Sequence, residues 1–395
     1  MSSNLNETCT YFISLLRALV HEAEIPAASD GLDGCALYAV SEAQGLSCMV
    51  YHALYKLGLD RLGEQAEAMF RKAHKAYVTH SIMQELEFTR VSAALDSCGI
   101  DYIPLKGWYT RELYPEAVMR YMGDIDILVN DADRKKINSL LLPMGYTCSD
   151  FMVYDFDKYR KGRMELEMHS QLDKDGLKDS SLFDEPFELA KPVGGHCYRM
   201  TDDNAYIYTV AHGMKHFMNS GTGLRTLLDI YLYNKKCGID KQYVLQFAEK
   251  LGIKKYLLTM ETLAEKTFGQ AKPLTGGELD SDSVTLLSFL LKSGAGGRQS
   301  TLDAALLDRS GKGGRGGSKL SYFWRMLFPA FATMKKRNPI LKKAPILLPF
   351  MYIKRWFELI FKKRERLKAG LERYNAIEDK AVEDLRNIHR LAGLE

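Results

Sequence analysis

Apolar residues recur at three- and four-residue steps from about Thr8 to Cys98, the period of helices that bury one stripe. YFISLLRALVHEA, MVYHALYKLG and HSIMQELEFTRVSAALDSC carry the pattern most clearly, and Gly99 is placed to stop the last of them. The chain then changes character. DYIPL is a short extended run whose Pro disfavours helix, and IDILV is a β-branched apolar strand. ADRKKINSLLLPMGY reads as a helix closed near Pro143 and Gly145; FMVYDF and MELEMH read as strands. In MELEMH, Met164, Leu166 and Met168 alternate with Glu165, Glu167 and His169, so the two glutamates and the histidine share one face. Helical period returns from Asp202 to about Lys292, in NAYIYTVAHGMKHFM, LRTLLDIYLYNKK, VLQFAEKL and YLLTMETLAEKTF, with TDDN as a capping stretch before the first. SGKGGRGGSK reads as a flexible linker, and the part from Tyr322 onward as helix with Pro breaks.

These elements predict an α+β chain. They divide into a helical region at 1–98, a sheet-bearing core at 99–200, a second helical region at 201–295, a Gly-rich linker at 296–320 and a basic helical tail at 321–395. A length of 395 residues exceeds one ordinary core and suits two or three packed units. With 46% hydrophobic and 26% charged residues the composition is globular rather than disordered. A net charge of +4 does not by itself imply nucleic acid or membrane. The excess of Lys and Arg gathers between Lys335 and Arg373, with Trp356, Phe357 and Phe361 among them. That tail reads as a helical cap with its charges in water, the alternative being peripheral contact with an anionic membrane or nucleic acid. The seven cysteines show no CxxC spacing, which leaves free thiols as the simple expectation. No basic leader followed by an apolar stretch opens the chain, and no apolar run reaches the ~20 residues of a membrane span. The expected location is cytoplasmic.

The candidate chemistry sits in GDIDILV. Asp124 and Asp126 are two residues apart on a strand, so both carboxylates face one side while Ile125 is buried behind them. Carboxylate oxygens suit Mg²⁺, a hard cation that keeps several waters and needs few protein ligands. A third acid from a neighbouring strand would complete such a site: Glu167 is the candidate and Glu165 the fallback. On spacing alone a solvated strand end is the better reading of the same pair.

The surroundings add a resemblance. IPLKGWYTRELYPEAVMRYMGDIDILVNDADRKKINSLLLPMGY, from Ile103 to Tyr146, resembles the core of the uncharacterised nucleotidyltransferase family, within the DNA polymerase β-like nucleotidyltransferase superfamily. The shared pattern is a strand ending in LKG, a helix, an Arg shortly before Gly-Asp-hydrophobic-Asp, and a helix ending in Gly-Tyr. EMH at Glu167-Met168-His169 matches the third acid. HGMKH and LRTLLDI resemble two further helices, giving His212, Lys215, His216, Arg225 and Asp229; RMLFPAF and LLPFMYIKR resemble the tail. The resemblance implies an enzyme that moves NMP from an NTP to an acceptor with release of pyrophosphate. Its cation is Mg²⁺, or Mn²⁺ in its place, and ATP is the default nucleotide. It makes Asp124, Asp126 and Glu167 both catalytic and metal-binding, and sets Lys106, Gly107, Arg120, Gly123 and Lys215 around the nucleotide. One departure stands out. The wider superfamily has Gly-Ser after its first strand, whereas this chain has Gly107-Trp108, so Lys106 or Arg120 is left to supply phosphate donors.

Other signals carry less. His212 and His216 share a helix face, but HGMKH lacks the Glu of HExxH and does not read as a zinc site. Arg225 and Asp229 are spaced as an i, i+4 ion pair. His169 reads equally as a partner that orients Glu167 and as a hydrogen-bonded structural histidine. GKGGRGGS has Gly317 where a P-loop needs Lys, and no strand precedes it. The acceptor, whether small molecule, protein or RNA, is not legible. Two rival functions remain at this stage: a metal-dependent phosphohydrolase using the same acids, and a non-catalytic nucleotide-binding scaffold.

Overall fold

The structure, a computed structural model, describes residues 5–302 except 150 and 153, and beyond them 305, 328, 331, 334, 338, 340–357 and 379–394. The Gly-rich basic segment and much of the basic tail, including Phe361, lie outside the described residues. The fold is α+β. Helices α1 (Glu7–Val20), α2 (Gly34–Ala43), α3 (Ser47–Tyr55) and the long α4 (Glu64–Ser97) come first. Gly99 ends α4 with a φ of +63°, a left-handed conformation that favours glycine.

Strands β1 (Tyr102–Pro104), β2 (Ile125–Val129), β3 (Thr147–Cys148), β4 (Phe156–Lys161), β5 (Met164–His169), β6 (Ala190–Gly194) and β7 (Cys197–Met200) form one mixed sheet in the order β3-β4-β5-β2-β1-β7-β6. Between them lie the short α5 (Gly107–Thr110) and α6 (Arg134–Leu141). The β6–β7 hairpin extends the sheet beyond the strands expected from the sequence. FMVYDF is not itself a strand: β4 starts only at its last residue, Phe156, and runs on to Lys161. The reason is the two-residue turn Gly162-Arg163, with Gly162 at φ +58°, which pairs Lys161 with Met164 and sets the hairpin register. After the sheet come α7 (Asp202–Asn219), α8 (Leu224–Lys236), α9 (Lys241–Leu251), α10 (Lys254–Phe268) and α11 (Ser281–Ser293). The Thr201 side chain caps α7 by accepting from the Asn204 backbone N–H.

Alternation along the strands separates two apolar clusters. Ile125, Ile127, Val129, Met164, Leu166 and Met168 pack with Val91 and Leu95 of α4 and Ile137 and Leu141 of α6. Ile103, Leu105 and Leu128 join the larger cluster, which runs through α1, α3 and α7 to α11. Asp126 and Glu167 therefore point away from the face that α4 and α6 cover. All seven cysteines are thiols, and no helix among the described residues is long and apolar enough to cross a membrane.

Candidate active site

β2 and β5 run parallel with Asp126 opposite Glu167 and Leu128 opposite His169. Alternation turns both acids into a cleft of about 1060 Å³, walled by the sheet on one side and by α7 and α8 on the other. Potential ligand atoms of Asp126, Glu167 and His169 lie within 4.8 Å of one another. Asp124 stands one position before β2 and also lines the cleft. Lys106 follows β1, and its Nζ lies 3.3 Å from Asp126 Oδ1. Its backbone has φ +45° and ψ −114°, a conformation costing a non-glycine residue about 1–3 kcal/mol, held here at the edge of the site.

His169 Nε2 is 2.7 Å from Asp126 Oδ1 and 3.6 Å from Glu167 Oε2. The histidine thus orients Asp126 rather than Glu167, reaching across from the position paired with Leu128, one same-face step beyond both acids. Glu167 is instead bonded by Lys158 of β4, its antiparallel neighbour, at 3.0 Å. Glu165 shares a face with Glu167 but is held by Lys158 and Arg160 at 2.7 and 2.8 Å and does not line the cleft.

Arg120 sits differently from the phosphate donor expected. Its side chain is 10% exposed, and its Nε and Nη2 donate to the two Asp229 oxygens at 2.9 and 2.7 Å. Tyr114 donates to the same carboxylate at 2.8 Å. The fork that would suit a phosphate is thus closed on a carboxylate. Asp229 accordingly does not pair with Arg225, whose Nη1 donates to the Tyr121 carbonyl at 2.7 Å. From the other side, the Gln84 amide donates to the Met122 carbonyl at 3.2 Å, and His80 Nε2 lies 3.1 Å from it. The rings of Tyr77 and Tyr121 stack at 4.5 Å. Helices α4 and α8 together clamp residues 120–122, which fixes where Gly123 and Asp124 enter β2. Gly107 belongs to the same packing: a Cβ there would come within 2.6 Å of Arg120 Nη1 and Met122 Sδ. Trp108 turns its ring onto Phe88 of α4, at 3.9 Å, beneath the Arg111 guanidinium.

On α7, His212 and His216 meet through their Nε2 atoms at 2.8 Å, and Lys215 Nζ donates to Asp173 at 2.5 Å. All four line the cleft. Asp173 and Lys158 were not singled out from the sequence. Lys158 was recoverable from the Gly162-Arg163 turn, which places it opposite Glu167. Asp173 lies in a loop without periodicity and gave no signal.

The site is short of positive charge. Burial, then Asp126 and Glu167, raise the Asp124 carboxyl to about 6. Burial opposes ionisation of Asp126 as well, but Lys106 and His169 hold it well below the usual carboxylate range. Burial and Lys106 push His212 down to about 3, so its ring is neutral at pH 7. A raised carboxyl binds its proton more tightly when folded than when unfolded, so this contribution stabilises the fold as pH falls through about 6. With chelator present, wild type should therefore gain on the order of 1–3 kcal/mol relative to Asp124→Asn between pH 7.5 and pH 4.5. Denaturant melts of the two proteins at both pH values check this; parallel pH profiles would refute it.

The sequence model of the uncharacterised nucleotidyltransferase family matches residues 31–269, well over half of the chain and all of the site just described. No curated protein and no solved structure matches it. The chain belongs to the uncharacterised nucleotidyltransferase family.

Proposed function

We propose that this member of the uncharacterised nucleotidyltransferase family moves a nucleoside monophosphate from an NTP to an acceptor and releases pyrophosphate, with Asp124, Asp126 and Glu167 as ligands of a divalent cation. The observation that carries the reading is the register of Asp126 against Glu167 on the cleft face, with Asp124 immediately before the strand. The residues fit Mg²⁺, or Mn²⁺ in its place: their donors are carboxylate oxygens, and the raised Asp124 carboxyl marks a cluster that a cation would neutralise. When bound, the cation supplies Lewis-acid stabilisation of charge on the attacking and leaving oxygens of an in-line displacement.

The chain's own groups supply the rest. Lys106 places fixed positive charge beside Asp126, where phosphoryl charge would develop. The acceptor oxygen bonds to the α-phosphorus while the bond to the bridging oxygen breaks, and that electron pair leaves with pyrophosphate. Glu167 accepts the acceptor proton. Lys215 on the α7 wall is placed to meet phosphate or acceptor once it exchanges its bond to Asp173. Arg120 acts from behind, by fixing the segment that leads to Asp124.

Calorimetry of ATP, GTP, CTP and UTP, each with and without Mg²⁺, tests the proposal. Wild type is expected to bind one of them, ATP being the first to try, in a metal-dependent way that Asp124→Ala/Asp126→Ala loses. The selected nucleotide should then yield pyrophosphate. Orthophosphate alone would assign a phosphohydrolase, and no binding with metal present would leave a scaffold.

A further inference from the structure

A second cluster of donors lies away from the cleft. Cys48 and His52 are four residues apart on α3 and share a face. His74 reaches them from α4, and one potential ligand atom from each of the three lies within 4.8 Å of the others. The Cys48 Sγ to His74 Nδ1 separation is 3.4 Å. A tetrahedral zinc ion with Zn–S of ~2.3 Å and Zn–N of ~2.0–2.1 Å would set such a pair about 3.5 Å apart. Glu116, just ahead of the segment clamped at Arg120, lies 3.3 Å from His52 Nδ1. The other ring nitrogen, His52 Nε2, is buried without a hydrogen-bond partner. A carboxylate on one imidazole nitrogen and a bare second nitrogen is the arrangement that orients a metal-binding histidine. The His74 ring is fixed by stacking on Tyr51 at 4.1 Å. None of Cys48, His52, His74 and Glu116 lines the cleft.

We propose that Cys48, His52 and His74 form a second metal site that takes Zn²⁺, oriented through Glu116 and bracing α3 against α4. The donor set chooses the metal. One thiolate and two imidazoles suit borderline-soft Zn²⁺ and exclude Mg²⁺, the cation that the cleft carboxylates fit. Binding displaces the Cys48 proton to solvent, as thiolate coordination requires. Three protein donors leave the fourth position to water, which the partly exposed His52 and His74 admit.

Cobalt substitution of the full-length protein reads this site separately from the cleft, because only a thiolate ligand gives a sulfur-to-cobalt charge-transfer band. One equivalent of Co²⁺ should produce the band, and Zn²⁺ should abolish it. Cys48→Ser should remove it, Asp126→Ala should leave it unchanged, and Glu116→Gln should weaken cobalt affinity about 10–100-fold. A band that survives Cys48→Ser, or wild-type cobalt binding without the band, would overturn the proposal. If Cys48→Ser does not fold, His52→Ala carries the test, since its ring is partly exposed: it should lose at least as much affinity as Glu116→Gln, and unchanged affinity would refute the site. Failure here leaves the carboxylate site untouched, and failure of nucleotide binding leaves this site untouched.

Discussion

Arg120→Ala is expected to cost about 3–5 kcal/mol of folding stability, because it strands a buried carboxylate. Asp229 is 3% exposed, and it is satisfied by two nitrogens of Arg120 and by the Tyr114 hydroxyl. The pairing also raises the Arg120 pKa against the cost of desolvation, so the guanidinium stays charged. Asp229→Ala should cost a similar amount, and the double variant should cost less than the sum, since removing both ends leaves no unpaired charge. Arg120→Lys should recover little, because an ammonium cannot reproduce two parallel bonds to one carboxylate. Denaturant unfolding of the four variants measures this. A loss under about 1 kcal/mol for Arg120→Ala would show that water reaches the pair. The same variants should weaken metal-dependent nucleotide binding even where the protein remains folded, because residues 120–122 set the approach to Asp124.

That ion pair also marks where the sequence stopped being legible. Arg120 and Asp229 are 109 residues apart, and the chain offers Arg225 as a nearer partner for the same aspartate, one helical turn away. Local spacing favours the nearer pair by a few tenths of a kcal/mol. Packing of α8 against the segment after α5 decided otherwise, sending Arg225 to a backbone carbonyl. By contrast, the two-residue step at Glu165–Glu167 was readable, because strand geometry alone puts such residues on one face, whereas Asp124 lies just before β2 and reaches the cleft from the bend that leads into it. The register of the two strands was not readable, since it is a long-range property that neither strand's own pattern fixes. Likewise the sequence left His169 between a structural role and a contact with Glu167, and the choice of Asp126 depends on the β2–β5 register. In HGMKH the two histidine rings meet through their Nε2 atoms and the lysine bonds Asp173, a partner that helical spacing alone does not supply. The Cys48, His52 and His74 cluster escaped notice because its two helices meet only in the fold.

Glu165 and Glu167 provide the sharpest test of the carboxylate site, since they are two residues apart on one strand and share Lys158. If Glu167 holds a catalytic cation and takes the acceptor proton, Glu167→Gln keeps the volume and removes the charge on which both roles depend. Loss of several kcal/mol of transition-state stabilisation corresponds to a fall in rate on the order of 10³-fold or more. Asp126→Asn should fall as far. It should also free Lys106 and His169 from their shared oxygen partner. Glu165→Gln removes an equal charge outside the cleft, from a side chain about one-third exposed, and should change the rate by no more than about 2-fold. Pyrophosphate release from the nucleotide that calorimetry selects, measured in Mg²⁺ and again in Mn²⁺, reads all three variants. If Glu165→Gln and Glu167→Gln fell together, the strand would be acting through its general charge, and the assignment of Glu167 as a ligand would fail. If only Glu167→Gln and Asp126→Asn collapse, the chemistry lies on the two adjacent positions that the parallel β2–β5 register brings together.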